Sequence, residues 1–280
     1  MSAKDDLTIP LLPNRYYHIY NRGINRCDIY FYPENYKYFL RKYSEKLSGY
    51  FDTFGYCLLS NHFHIMIKVK PISELIEKAI IDFDHVNETF YKEYVLPWIT
   101  RIGVSSADLG TLEGLTKEDL TNFKNLLNLY ATYGDTHPET QGEIYNLDEA
   151  DFRTQLASWV VSERFRGFLL GYAKAINKQE SRTGSLFQKG FRRKSISDDG
   201  PNRKSALMYI HHNPIHHFYS NDYQEYTWSS YNAYISHKPS KISKDEGLKW
   251  FGGIDGFSVY AENYRTAKRS EFEWMINEES

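Results

Sequence analysis

The sequence predicts an α+β fold, and three observations lead to it. Strand-like and helix-like segments follow one another as strand, helix, strand, strand, helix, strand, helix. Two of the strand-like runs, 50–59 and 62–69, are separated only by Ser60 and Asn61, a connection so short that the pair must be antiparallel. An acidic stretch, 95–155, interrupts this order and offers a helix and turns but no strand. The order is that of a ferredoxin-like split β-α-β sheet, antiparallel with helices on one face, plus one extra helix.

Residues 15–22 (RYYHIYNR) are rich in Tyr and Ile and stop at Gly23, as a strand does. Pro33 opens a helix in which Tyr36, Phe39, Leu40, Tyr43 and Leu47 recur at helical spacing. The hairpin 50–69 comes next, and helical character returns over 72–94. The stretch 95–155 carries turn signals at Gly110, Gly114, Gly134 and Pro138, with one helix expected near 116–132. A strong helix over 156–179 ends before Thr183 and Gly184. Residues 185–196 then read as an extended basic segment. Asn202 is expected to cap a helix over 203–212, stopped by Pro214 because the residue before proline disfavours helical backbone. The chain thus divides into a main domain in two parts (1–94 and 156–236), an acidic insertion (95–155) and a C-terminal extension (237–280).

Composition excludes several classes. The 280 residues are 41% hydrophobic and 25% charged, as in soluble globular chains and unlike disordered or fibrous ones. No run approaches the roughly 20 apolar residues of a membrane span. The first dozen residues carry two Asp and no apolar signal core, so a cytoplasmic location and no membrane partner are expected. Two cysteines, Cys27 and Cys57, exclude both a disulfide scaffold and a four-cysteine zinc site. The aromatic share of 16% suits either packing or stacking on unpaired bases. The net charge of −2 hides an asymmetry: residues 103–155 hold ten acidic and three basic side chains, whereas 174–204 hold nine basic and three acidic. The first segment repels phosphate and the second attracts it.

Three groups of residues could carry chemistry. His62 and His64 flank Phe63 on a strand, so both imidazoles emerge on one face and Phe63 on the other. Paired imidazoles suit a divalent metal, although two of ten histidines can fall together on a half-exposed strand. Tyr209 and Asn213 are four apart and share a helix face, which serves a site or a core equally well. Nearby His211, His212, His216 and His217 are a weaker metal set, because Pro214 interrupts their helical spacing. Lys189, Arg192, Arg193 and Lys194 interleave with Phe187 and Phe191. That pattern is either a solvated strand face or a platform that stacks bases and tracks phosphates, with Arg22, Lys178 and Arg182 as additions.

Taken together, LLSNHFHIMIK, YAKAINKQESRTGSLFQKGFRRKSI, YIHHNPI and WSSYNAY resemble, in order, the motifs of the single-tyrosine HUH transposases, most closely the REP-associated tyrosine transposase branch. The resemblance runs from Tyr16 to about Tyr234, broken by 95–155. It implies an HUH nuclease architecture in which His62 and His64 are the metal pair, Tyr209 the nucleophile and Asn213 a further metal ligand. It also implies magnesium or manganese, single-stranded or hairpin DNA as substrate, and either a monomer or a homodimer. The chain departs from small members of the family in its length and in its acidic insertion.

The chemistry so implied is internally consistent. A phenol, with an ordinary pKa near 10, is a poor nucleophile at neutral pH unless the phosphate it attacks is polarised. The resulting 5′-phosphotyrosine link keeps the phosphodiester energy, so a 3′-hydroxyl can reverse the step without ATP. The lack of a GxxxxGK[ST] phosphate loop fits this scheme. Two other readings are a DNA-binding or regulatory protein without turnover, and a metal hydrolase in which water attacks and Tyr209 is core.

Overall fold

The structure, a computed structural model, describes residues 9–75, 78 and 149–267. The helix expected over 72–94 lies outside these residues beyond its first turn, as do the expected helix at 116–132 and nearly all of 95–155. The chain forms two compact units, Met1–Lys70 with Val161–Ser280, and Pro71–Val160.

The first unit holds a sheet of β1 (Tyr16–Arg22), β2 (Phe51–Leu59), β3 (His62–Val69) and β4 (Arg192–Ile196). The spatial order is β2-β3-β1-β4 with every neighbouring pair antiparallel, which is the α+β, ferredoxin-like arrangement expected. Leu59 pairs with His62 across the Ser60-Asn61 turn. The extended segment is shorter than expected: only Arg192–Ile196 joins the sheet, and Phe187 makes an isolated bridge to Gly23.

Alternation along the strands decides what covers each face. Phe63 faces α1 (Pro33–Leu47) and α2 (Glu149–Gln179), with ring centroids 5.3 Å from Phe39 and 6.3 Å from Phe165. Phe39 and Phe168 close the contact between these helices at 4.9 Å. The helical spacing of α1 becomes burial at Tyr36, Phe39, Tyr43 and Leu47. Asn35 is buried as well, because its Oδ1 accepts from the N–H groups of Phe31 and Tyr32 while its Nδ2 donates to Gln179 at the end of α2. Removing a ring such as Phe165 or Phe168 would cost about 3–5 kcal/mol.

The opposite face carries α3 (Gly200–His216), so helices cover both faces rather than one. A side chain at Gly55 would bring its Cβ within 2.5 Å of Leu207 Cδ1; glycine there lets α3 settle close to the sheet, beside the register shift between Thr53 and Gly55. Short helices α4 (Tyr231–Ile235), α5 (Lys244–Phe251) and α6 (Ile254–Thr266) complete this layer, burying Tyr234, Phe251 and Phe257 against α3 and β2. The segment 228–230 runs along the β2 edge: Leu58 N–H donates to Trp228 O, and Tyr56 N–H to Ser230 Oγ.

Two local expectations for α3 change. Asp199, not Asn202, is the cap, its side chain accepting from Asn202 N–H at 2.8 Å, with Pro201 in the first turn. The helix also runs through Pro214 to His216. Proline removes one backbone donor, but His217 N–H still reaches Asn213 O at 3.0 Å, so one more turn forms. No described helix is long and apolar enough to cross a membrane.

Candidate functional site

His62 and His64 emerge from β3 toward α3, as the strand alternation requires. Tyr209 meets the His64 ring edge-on at 5.9 Å. One turn past Asn213, His217 ends α3 and closes on both histidines, with ring centroids 4.5 Å from His62 and 6.2 Å from His64. Tyr209 and Asn213 of α3 and His217, the residue that caps it, thus follow one another at four-residue intervals, with Tyr209 and His217 against the histidines of β3.

The end of α3 is held to the hairpin by polar contacts. The hydroxyls of Tyr219 and Ser60 lie 3.1 Å apart, and Ser60 donates to Asp28 at 2.6 Å. Tyr226 donates to Leu58 O at 2.8 Å. On the far side of α3, His211 Nε2 and Ser230 Oγ are 2.8 Å apart, which ties the helix to the β2 edge.

Candidate ligand atoms of His62, His64 and His217 all lie within 4.8 Å of one another, a grouping that can hold a metal ion. Donor availability supports it. His62 Nδ1–H donates to Asn61 Oδ1 at 2.5 Å, leaving a buried Nε2 with no hydrogen-bond partner. Asn213 Nδ2 donates to Tyr209 O at 3.0 Å, which turns its own Oδ1, buried and likewise unbonded, away from the helix backbone. Buried polar atoms without partners are costly, and a cation shared by the three imidazoles would satisfy the His62 lone pair. Burial pushes His62 and His64 well below the ordinary histidine range, and neighbouring basic groups, His18 first at His64 and Arg22 at both, act in the same direction. Neutral imidazoles are the form that ligates.

His217 belongs to the set that the sequence favours less, because a helix ending at His212 could not carry it here. His18 has no motif in the sequence to mark it. It lies on β1 two residues before Tyr20, the pairing partner of His64, so only strand alternation and register together reveal it.

The basic residues do not act as one platform. Arg192 pairs with Tyr20 and Lys194 with His18, so both lie on the histidine face, as does Arg22 opposite His62. Arg193 pairs with Ile19 on the other face, where it donates to Ser162 of α2 at 2.8 Å and covers the Phe191 ring at 4.6 Å. Phe187 and Phe191 are buried against Phe63 and Phe165, so they are core rather than the stacking surface the sequence allows. Arg182 reaches Cys27 Sγ at 3.5 Å and stands over the Phe31 ring. Lys178 and Lys189 are exposed.

No family model matches the chain, and no curated protein does. Among solved structures it is similar to the REP-associated tyrosine transposase bound to a REP hairpin, at 10% identity and a TM-score of 0.41, over 82% of this chain and 86% of that one.

Proposed function

We propose that this chain is a metal-dependent nuclease and strand transferase, of the transposase kind, that cuts and rejoins single-stranded or hairpin DNA through Tyr209. The observation that carries the reading is the meeting of a tyrosine and three imidazoles: Tyr209 against His64, with His62, His64 and His217 close enough to share one cation. Asn213 supplies an oxygen donor on the same helix stripe as Tyr209.

His62, His64 and His217, with Asn213, would hold magnesium or manganese. Magnesium favours oxygen ligands, so a site this rich in imidazole leans toward manganese. When bound, the ion supplies Lewis-acid polarisation of a nonbridging phosphate oxygen. Tyr209 Oη attacks phosphorus in line, the bond to the 3′ oxygen breaks, and that oxygen takes up a proton as the phenol gives one to solvent. The products are a 5′-phosphotyrosine and a 3′-hydroxyl, and the reverse attack rejoins the strand. Arg22, Arg192 and Lys194 share the histidine face and would neutralise flanking phosphates, with Lys178, Arg182, Lys189 and Arg193 as outlying cations.

A second reading has one observation in its favour. Tyr209 is 1% exposed, as a core tyrosine would be, and in that case water attacks the phosphate. The proposed reading requires that DNA binding uncover the phenol. Incubating the protein with single-stranded hairpin DNA and manganese, then running a denaturing gel, separates the two: a covalent protein–DNA adduct supports the tyrosine, and cleavage without an adduct supports water.

A further inference from the structure

We propose that His18 is a positioning residue for the metal centre: it holds His64 by Nδ1, so that Nε2 of His64 is the atom offered to a divalent cation. This rests on the metal reading of His62, His64 and His217.

His18 projects from β1 on the same face as His64 of β3, and both are buried, 4% and 0% exposed. His18 Nε2 and His64 Nδ1 are 2.8 Å apart, so one of the two nitrogens must carry a proton and the other a lone pair. If the proton sits on His18 Nε2, a neutral His64 carries its own on Nε2 and cannot ligate there. If it sits on His64 Nδ1, the Nε2 lone pair of His64 is available and His18 is protonated on Nδ1. Only the second arrangement is compatible with a cation at Nε2.

The neighbouring ligand repeats the design. His62 Nδ1 donates to Asn61 Oδ1, an oxygen that can only accept, which fixes the same tautomer and frees Nε2. Each strand histidine thus has its Nδ1 occupied by a partner outside the metal group. Such partners orient ligating imidazoles and raise their basicity. The His18 ring is itself fixed by packing, stacked on Tyr20 at 4.9 Å and set edge-on to Tyr209 at 5.7 Å.

The test uses the full chain and manganese as probe. Mn2+ affinity, measured by calorimetry or by the electron paramagnetic resonance of free Mn2+, is compared for wild type, His64→Ala, His18→Phe and His18→Gln. His18→Phe keeps a ring but no nitrogen, and should weaken binding about 10–100-fold. His18→Gln restores an acceptor for His64 Nδ1–H, and should recover most of the affinity. In the metal-free wild type, 15N chemical shifts should report His64 as the Nδ1–H tautomer, a reading that needs no variant to fold. Wild-type affinity in a folded His18→Phe, or an Nε2–H tautomer of His64, would overturn the proposal. Undiminished Mn2+ binding in His64→Ala would overturn the metal reading beneath it, an outcome visible in that variant alone.

Discussion

His62 and His217 meet nearly perpendicular, ring centroids 4.5 Å apart, and this contact joins the end of α3 to the hairpin strand. It adds a third imidazole to the two that β3 carries. Removing it should therefore do more than loosen a helix end.

His217→Ala is expected to lower Mn2+ affinity at least about tenfold, in company with His62→Ala and His64→Ala. EDTA should suppress DNA cleavage by the wild type, and added manganese or magnesium should restore it. Calorimetric titration reads the first effect and a cleavage assay the second. Full cleavage in a chelated sample would remove the metal from the mechanism.

Tyr209→Phe deletes one hydroxyl from a side chain whose ring stays buried against His18 and His64. Covalent attachment to single-stranded DNA should disappear, while DNA binding by fluorescence anisotropy stays within about twofold, since no phosphate contact is lost. An adduct of undiminished intensity would reassign the nucleophile.

The four strands, the hairpin turn and the shared face of His62 and His64 are legible in the sequence because they depend on local spacing, period two along a strand and a two-residue connection. Tyr209 and Asn213 are legible as a pair for the same reason, at period 3.6. The features that escape depend on tertiary contacts. The segment that follows α3 is tied to the hairpin by Tyr219 on Ser60 and Tyr226 on Leu58, residues distant in sequence, and spacing along the chain does not reveal such ties. Phe187 and Phe191 look like a stacking platform in a basic run, yet they fill the core because α2 supplies Phe165 and Tyr172 opposite them. His18 gains meaning only once the register of β1 on β3 is known.

The split of the basic run predicts unequal effects from adjacent arginines. Arg192→Ala and Lys194→Ala, on the histidine face, should weaken single-stranded DNA binding, each lowering the slope of log affinity against log salt by about one. Arg193→Ala should leave that slope nearly unchanged and instead lower stability, because it loses Ser162 and the Phe191 ring. Anisotropy across a salt series, with urea unfolding of each variant, distinguishes these outcomes. Equal loss of slope from Arg193→Ala would place DNA on the α2 side.

His211 makes acid a specific threat to the fold. It is a fully buried residue of α3, its Nε2 2.8 Å from Ser230 Oγ, and burial followed by the charge of His212 pushes its pKa down to about 3. An unfolded histidine titrates near 6.5, so between about 3 and 6.5 the unfolded chain binds a proton that the folded chain does not. Stability therefore rises with pH in that window, is fully present above about 6.5, and is lost as the pH falls, approaching about 1.4 kcal/mol per pH unit for one such imidazole. His212, pushed down to about 4 chiefly by burial, adds to the same slope. His211→Gln cannot titrate and keeps a polar group for Ser230. Urea unfolding at pH 7.0, 6.0 and 5.0 should show a smaller loss on acidification in His211→Gln than in wild type, whatever the variant costs at pH 7.0. An identical pH dependence in the two proteins would mean that His211 gains access to solvent or to an anionic partner in the folded state, and that acid acts elsewhere.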